Sequence, residues 1–167
     1  MDCKIDACSF TGHRESKLPW QGDESDLRCV MLKEKIADAV EAVYASGIRH
    51  FICGMANGCD MYFCEAVIAL RASHGDITVE AAIPWAGQAD SWAPALRKRY
   101  LRLLEDCDFV TLVQNNYSPD CLMKRNKYMV DNSSVIIAAY SGKPGGTMST
   151  MLYAMREGLE LIEIPID

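Results

Sequence analysis

The sequence predicts an α/β domain of the Rossmann-like, three-layer type, with a mostly parallel sheet of about six strands covered by helices on both faces. Short apolar runs alternate with segments of helical periodicity along all 167 residues. Runs such as VIIAAY at 135–140 and FVTLV at 109–113 are nearly continuous, which is typical of parallel strands buried on both faces. The length favours one domain, so we expect residues 1–167 to form a single ligand-binding unit.

The first half of the chain predicts three strands that alternate with two helices. On the first helix, Leu32, Ile36 and Val40 recur at helical spacing, and Gly47 suits its C-terminal cap. In chain order these elements are a strand at 5–10, a helix at 25–46, a strand at 49–53, a helix at 59–73 and a strand at 77–84.

The second half continues the alternation. Pro94 fits the first turn of a helix, while Ser118 and Pro119 are predicted to be the N-cap and first-turn residue of another. In chain order these elements are a helix at 94–106, a strand at 109–113, a helix at 118–131, a strand at 134–140, a helix at 147–156 and a strand at 161–165.

Charge and hydropathy exclude several classes of protein. The net charge of −6, from 17 basic and 23 acidic residues, argues against a nucleic-acid partner held by overall charge. The longest apolar runs are far shorter than the roughly 20 residues that cross a bilayer. Charged residues also interrupt the N-terminus where a signal peptide would be apolar. We therefore expect a cytoplasmic protein that does not enter membranes. Assembly into a homo-oligomer is left open by the sequence.

The cysteines indicate a reducing compartment. There are eight cysteines and three histidines, and no CxxC pair occurs. Most of the cysteines fall inside apolar stretches or predicted helices, which favours free buried thiols, with no metal site expected and zinc as the alternative.

Ligands of open parallel sheets bind at the carboxyl ends of the strands. Three of the segments that follow predicted strands carry glycine beside a helix start, where unpaired amides and the helix dipole favour anions. Gly145, Gly146 and Thr147 would hold a phosphate, unless they form an ordinary turn with Thr147 as N-cap.

The other two segments add polar side chains. Gly54, Asn57 and Gly58 precede a helix that carries Asp60, in a pattern that is neither GxGxxG nor a P-loop. Asn57 and Asp60 are candidate ligand contacts, and Asp60 alternatively only complements the helix dipole.

In the segment Gly12, His13 and Arg14, the guanidinium suits a phosphate or carboxylate, and His13 is a candidate for ligand binding or proton transfer, with a plain surface role as the alternative.

Three further sets have a functional and a structural interpretation. Glu65 is either an acid/base or ribose contact, or a solvated helix residue. Arg125 belongs to a basic stretch that is either a solvated helix face or part of the site. Trp85 and Trp92 either stack on a base or cap the core.

Taken together, five motifs resemble the YpsA-like family of bacterial proteins, for which no reaction is established. That family belongs to a Rossmann-like superfamily with the Lonely Guy phosphoribohydrolases and the DNA-processing protein DprA. The motifs are SFTGHR at 9–14, GMANGCDMYFCE at 54–65, IPWAGQADSW at 83–92, MKRNKYMVDNSSVIIAAYSG at 123–142 and PGGTMSTMLYA at 144–154.

The resemblance implies a nucleotide-type ligand whose phosphate lies on residues 144–147. It also matches Gly12, His13 and Arg14 to the family's first-strand signature, and Gly54, Gly58, Asp60 and Glu65 to its second loop and helix. Further residues match family positions whose roles the resemblance does not define: Gln88, Trp92, Arg125, Asn126 and Asp131. Lonely Guy enzymes carry PGGxGTxxE, but this chain has Met148-Ser149 within the motif and Leu152 in place of the glutamate.

The leading hypothesis is therefore binding or sensing of ADP-ribose, NAD or a nucleoside phosphate, and no cofactor is identified beyond such a nucleotide-type ligand. The first alternative is a phosphoribohydrolase or N-glycosidase, whose acid would be Glu65, Asp60 or Asp131 because Leu152 cannot serve. The second is binding of single-stranded DNA by analogy to DprA, against which the net charge argues.

Overall fold

The computed structural model describes residues 6–166, in which six strands alternate with five helices. The strands are β1 (Ala7–Gly12), β2 (His50–Cys53), β3 (Thr78–Ile83), β4 (Phe109–Leu112), β5 (Val135–Tyr140) and β6 (Glu160–Pro165). The helices are α1 (Leu27–Ala45), α2 (Cys59–Ser73), α3 (Pro94–Asp106), α4 (Cys121–Asp131) and α5 (Gly146–Arg156), and a 3₁₀ turn spans Glu15–Lys17. The predicted alternation is confirmed.

The strands form one parallel sheet in the order β4-β3-β2-β1-β5-β6. From β1 the chain adds β2, β3 and β4 outward on one side, then returns to add β5 and β6 on the other. The direction of winding therefore reverses between β1 and β5, where Gly12 pairs with Ala139. In open α/β sheets this reversal leaves a crevice at the carboxyl ends of the two strands.

Two layers of helices cover the sheet. The α1, α2 and α3 layer buries the larger core, in which the rings of Phe10 and Phe63 stack with centroids 4.7 Å apart. The α4 and α5 layer packs on the opposite face around Ile52, Met129 and Ile136. This is the three-layer Rossmann-like architecture that the sequence predicts.

Strand β4 departs from the prediction that every strand is covered on both faces. Phe109 and Val110 are each 55% exposed, and Leu112 is 43% exposed. The strand lies at the edge of the sheet, beyond the part that the two helices α4 and α5 cover. An apolar run alone does not distinguish an edge strand from an interior one.

Two predicted boundaries are also wrong. Strand β1 continues through Thr11 and Gly12, which pair with β5, so these residues are not part of a loop. Helix α4 begins at Cys121 rather than at Ser118, because the Ser118 hydroxyl donates to the Asp120 carboxylate at 2.7 Å and forms no helix cap. The residue Ile5, predicted in the first strand, lies outside the described residues.

Seven of the cysteines lie within residues 6–166, all as free thiols, and only Cys107 among them is half-exposed. Within the same range, no His, Cys, Asp and Glu side chains group in a way that could hold a metal ion. None of the helices described is long and apolar enough to cross a membrane.

Candidate functional site

A cleft of about 330 Å³ opens at the carboxyl ends of β1 and β5, where the strand order reverses. Its walls are the end of β1 with the turn that follows, Ala56 and Asp60 beside the start of α2, one face of α4, and the first residues of α5. Segments that are far apart in sequence therefore meet at one edge of the sheet. The volume lies within the range of about 300–1,000 Å³ that small-molecule sites occupy.

Three cationic side chains line this cleft, namely Arg14, Lys17 and Arg125. Within residues 6–166 none of them forms an ion pair with a carboxylate, although the chain has 23 acidic residues. Elsewhere, arginines such as Arg99 and Arg71 are paired with acids. The cleft thus carries three cations and a single acidic side chain, Asp60, in an acidic protein, which favours an anionic ligand.

Arg125 is the most deeply buried of the three, with 4% of its surface exposed. Its Nη1 donates to the Gly54 carbonyl, and its Nε donates to the Asn126 Oδ1 at 2.9 Å. Burial lowers the pKa of its guanidinium, while the negative charge of Asp60 nearby opposes that shift. A guanidinium has five donors, so three of those on Arg125 have no acceptor within the described residues.

The loop between β2 and α2 is held by side chains from other elements. The Gln88 amide donates to the Met55 carbonyl at 3.2 Å, and the Asp60 carboxylate accepts from the Ala56 amide at 3.1 Å. Met55 is fully buried with a φ of 58°, a left-handed conformation that costs free energy in a non-glycine residue. Gln88 therefore positions this loop, a role that the sequence did not define, and together with Arg125 it fixes the loop before any ligand binds.

Gly58 is required where this loop meets the turn after β1. Its φ is +84°, and a Cβ on it would lie 2.5 Å from the Glu15 backbone nitrogen. We expect Gly58→Ala to lower the free energy of unfolding by at least about 2 kcal/mol, because both strain and a backbone clash result. Urea unfolding measures this.

Gly75→Ala is the matched control, since a Cβ on Gly75 meets nothing within 4 Å, and it should change stability by less than about 1 kcal/mol. Equal stability of the Gly58 variant and the wild type would show that the packing at this junction is not as described.

The side chain of His13, in the turn after β1, is a buried neutral imidazole. The Ser141 backbone amide donates to its Nε2 at 3.3 Å, and the Ser141 hydroxyl lies 2.8 Å from the same atom. Since an amide only donates, Nε2 is an acceptor and the ring proton is on Nδ1. Burial lowers the pKa of His13, and the charges of Lys17 and Lys143 lower it further. The Nε2 atom is therefore engaged in structure and is not free to remove a proton.

The start of α5 forms another wall of the cleft. The helix begins at Gly146, and Gly145 precedes it with a φ of +151° and without a side-chain cap. The alternative that Thr147 is the N-cap is therefore wrong, because Thr147 already lies within the first turn and lines the cleft. The first amides of a helix have no partner within the helix, so those of Gly146 and Thr147 are suitable donors to an anion.

Lys17 lines the cleft beside this glycine loop. Its ammonium nitrogen lies 3.0 Å from the position that a Cβ on Gly145 would occupy. The sequence did not single out this residue, although it follows Arg14 by three positions within the 3₁₀ turn. A basic residue so close to the first motif is the signal that could have identified it.

The two candidate acids other than Asp60 lie outside the cleft. Glu65 accepts from the Nε of Arg99 at 2.9 Å, and Arg99 also binds Glu24. Asp131 accepts from the Tyr153 hydroxyl at 2.6 Å. Asp60 lines the cleft, and burial raises the pKa of its carboxyl, although the charges of Arg125 and Arg14 oppose that shift.

The other predicted contact residues either support the loops around the cleft or lie outside it. Asn57 accepts from the Glu15 backbone amide at 3.1 Å and so ties the loop before α2 to the turn after β1. Trp92 packs edge-on against Tyr100 with ring centroids 5.2 Å apart, and Trp85 against Tyr117 at 5.7 Å. Neither tryptophan lines the cleft, and Trp92 packs against the buried core, which fits the core-capping interpretation. Trp85 instead packs against Tyr117, which is 63% exposed.

Comparison with known proteins places the chain in a family. A sequence model of the YspA SLOG family matches residues 8–166. The uncharacterized SPbeta prophage-derived protein YoqJ of Bacillus subtilis (strain 168) is 30% identical over 138 residues, which cover 75% of this chain and 81% of that protein. The UPF0398 protein BH1768 of Halalkalibacterium halodurans is 29% identical over 117 residues, covering 68% of this chain and 62% of that protein.

A solved structure shares the fold. The X-ray structure of DNA processing protein A (DprA) from Streptococcus pneumoniae aligns with a TM-score of 0.65 at 16% sequence identity. The alignment covers 97% of this chain and 51% of that one, so this chain spans about half the length of DprA. The structural match supports the Rossmann-like fold, and the family model covers nearly the whole sequence. The chain belongs to the YspA SLOG family.

Proposed function

We propose that this protein binds a phosphate-bearing small molecule of the nucleotide type in the cleft between β1 and β5. The observation that carries the proposal is the guanidinium of Arg125, which is almost wholly buried, lines the cleft and has no carboxylate partner within residues 6–166. A buried charge without a partner is costly, and a ligand anion would compensate that cost.

The surroundings of Arg125 suit a phosphate group in particular. Phosphate accepts several hydrogen bonds at once, and the cleft presents the unused donors of Arg125, the ammonium of Lys17 and the first amides of α5. Arg14 adds a second guanidinium to the lining of the cleft. The family assignment and the position at the strand-order reversal both support a nucleotide-type ligand.

A hydrolase is the second candidate, and Asp60 is the observation that favours it. Of the three candidate acids, only Asp60 lines the cleft, and a carboxyl whose pKa is raised by burial suits a general acid. Its Oδ2 already accepts from the Ala56 amide, which is equally consistent with a purely structural role. Single-stranded DNA binding is the least supported alternative, because the net charge of −6 gives no overall attraction for a polyanion.

The test is a proton NMR experiment on the purified protein with AMP, NAD and ADP-ribose, and with adenosine as the ligand that lacks phosphate. We expect saturation transfer to at least one phosphate-bearing compound and none to adenosine. Equal transfer to adenosine, or no transfer to any of the compounds at millimolar concentration, would overturn the proposal. In the same samples, decay of the anomeric signal over time that Asp60→Asn abolishes would establish the hydrolase instead.

A further inference from the structure

A second groove continues from the cleft, between α4 and α5. Its volume is about 510 Å³, and it shares Leu122, Asn126 and Gly146 with the phosphate-facing cleft. The two spaces therefore meet across the first residue of α5. A ligand whose phosphate lies at Arg125 is therefore adjacent to the groove.

The groove is less polar than the cleft and contains an aromatic wall. Leu122 and Met123 of α4 face Tyr153 of α5 across it. The Tyr153 hydroxyl donates to Asp131 at 2.6 Å, which limits rotation of the ring, and the Lys127 ammonium lies 5.7 Å from the ring centroid. A fixed aromatic side chain beside exposed thioether and aliphatic groups suits a flat, apolar ring.

Asn126 stands at the junction of the two spaces with its amide orientation defined. Its Oδ1 accepts from the Nε of Arg125, so the NH₂ group of the same amide is left as a donor. No acceptor for that group occurs within residues 6–166. The junction thus offers a donor to a ligand atom that lies between the phosphate and the ring.

We propose that the α4–α5 groove binds the heteroaromatic base of the ligand and that Asn126 is a specificity-determining residue at the junction. The proposal rests on the proposed phosphate site and extends it from a phosphate pocket to a site for a whole nucleotide. It predicts that the base contributes to affinity, and that this contribution is lost when the groove alone is altered.

The test compares four probes by isothermal titration calorimetry: inorganic phosphate, ribose 5-phosphate, AMP and UMP. We expect at least one nucleotide to bind about tenfold or more tightly than ribose 5-phosphate, which corresponds to one stacked base. Met123→Asp should remove that advantage and leave the affinity for ribose 5-phosphate unchanged. Met123 is 54% exposed, so the substitution should not disturb folding.

Met155→Asp is the matched control, because Met155 is 58% exposed on α5, lies outside both spaces and changes the net charge equally. It should bind every probe as the wild type does. If nucleotides bind no more tightly than ribose 5-phosphate, or if both variants behave alike, the base site is overturned while the phosphate site stands. If neither phosphate nor any of its esters binds the wild type, the proposed function itself fails.

Discussion

Replacement of Arg125 by Met should abolish binding of phosphate esters while the protein stays folded. Charge-assisted hydrogen bonds from a buried guanidinium are strong, so we expect affinity to fall by about 100-fold or more. Methionine replaces the aliphatic part of the side chain and removes the buried positive charge. It also leaves the Gly54 carbonyl without its donor and the buried Asp60 carboxyl without the nearby positive charge of Arg125. The free energy of unfolding should therefore fall by about 1–3 kcal/mol, which still leaves a folded protein. Titration calorimetry and urea unfolding measure the two quantities.

Arg99→Met is the control for loss of affinity that results from damage to the fold. Arg99 is mostly buried and donates to both Glu24 and Glu65, joining the segment before α1 to α2 and α3. Removing it leaves the Glu65 carboxylate without its cation, while Glu24 keeps its ion pair with Lys33 at 2.6 Å. Stability should therefore fall by about 1–2 kcal/mol while ligand affinity stays unchanged. If Arg99→Met weakened binding as much as Arg125→Met, the loss would reflect damage to the fold rather than to a phosphate contact.

A carboxylate introduced at Gly146 should have an equally large effect on binding. Gly146 is the first residue of α5 and lines the cleft, so Gly146→Asp would place a negative charge where the phosphate is proposed to lie. We expect affinity to fall by about 100-fold or more, since like charges would face each other in a partly buried site. Acidic residues stabilise the first turn of a helix, so thermal stability should be unchanged or higher.

Gly146→Ala separates charge from steric effects at the same position. A Cβ on Gly146 meets nothing within 4 Å, so the alanine variant should fold and bind as the wild type does. Thermal melts and calorimetric titrations of both variants make the comparison. Wild-type affinity in the aspartate variant would place the ligand's phosphate away from α5.

The fold was largely predictable because its signals are local. Alternating apolar runs and helical periodicity define the six strands, and glycines beside helix starts mark the binding edge. The register of Gly12 against Ala139 and the edge position of β4 depend on contacts between distant segments. That is why the apolar run of β4 was wrongly expected to be covered on both faces.

The site was only partly predictable, for the same reason. Gly146, Thr147, Arg14 and Arg125 were candidates, and the structure brings them to one cleft. Lys17 was not recognised, since only the folded turn places its ammonium over the glycine loop.

The sequence offers Glu65 as a candidate acid beside Asp60 and Asp131. In the structure its carboxylate accepts from Arg99 and lies outside the cleft. Burial and charge compensation, which decide these roles, are properties of the tertiary structure rather than of spacing.

The most direct test of the phosphate site is a titration of isotopically labelled protein followed by backbone amide NMR. ADP-ribose and AMP are the ligands, with adenosine as the control. The account predicts that the amides of Gly146 and Thr147 and the Nε–H of Arg125 shift together on addition of the phosphate-bearing ligands and stay in place with adenosine. Shifts confined to other surfaces, or identical shifts with adenosine, would contradict a phosphate site at the reversal between β1 and β5.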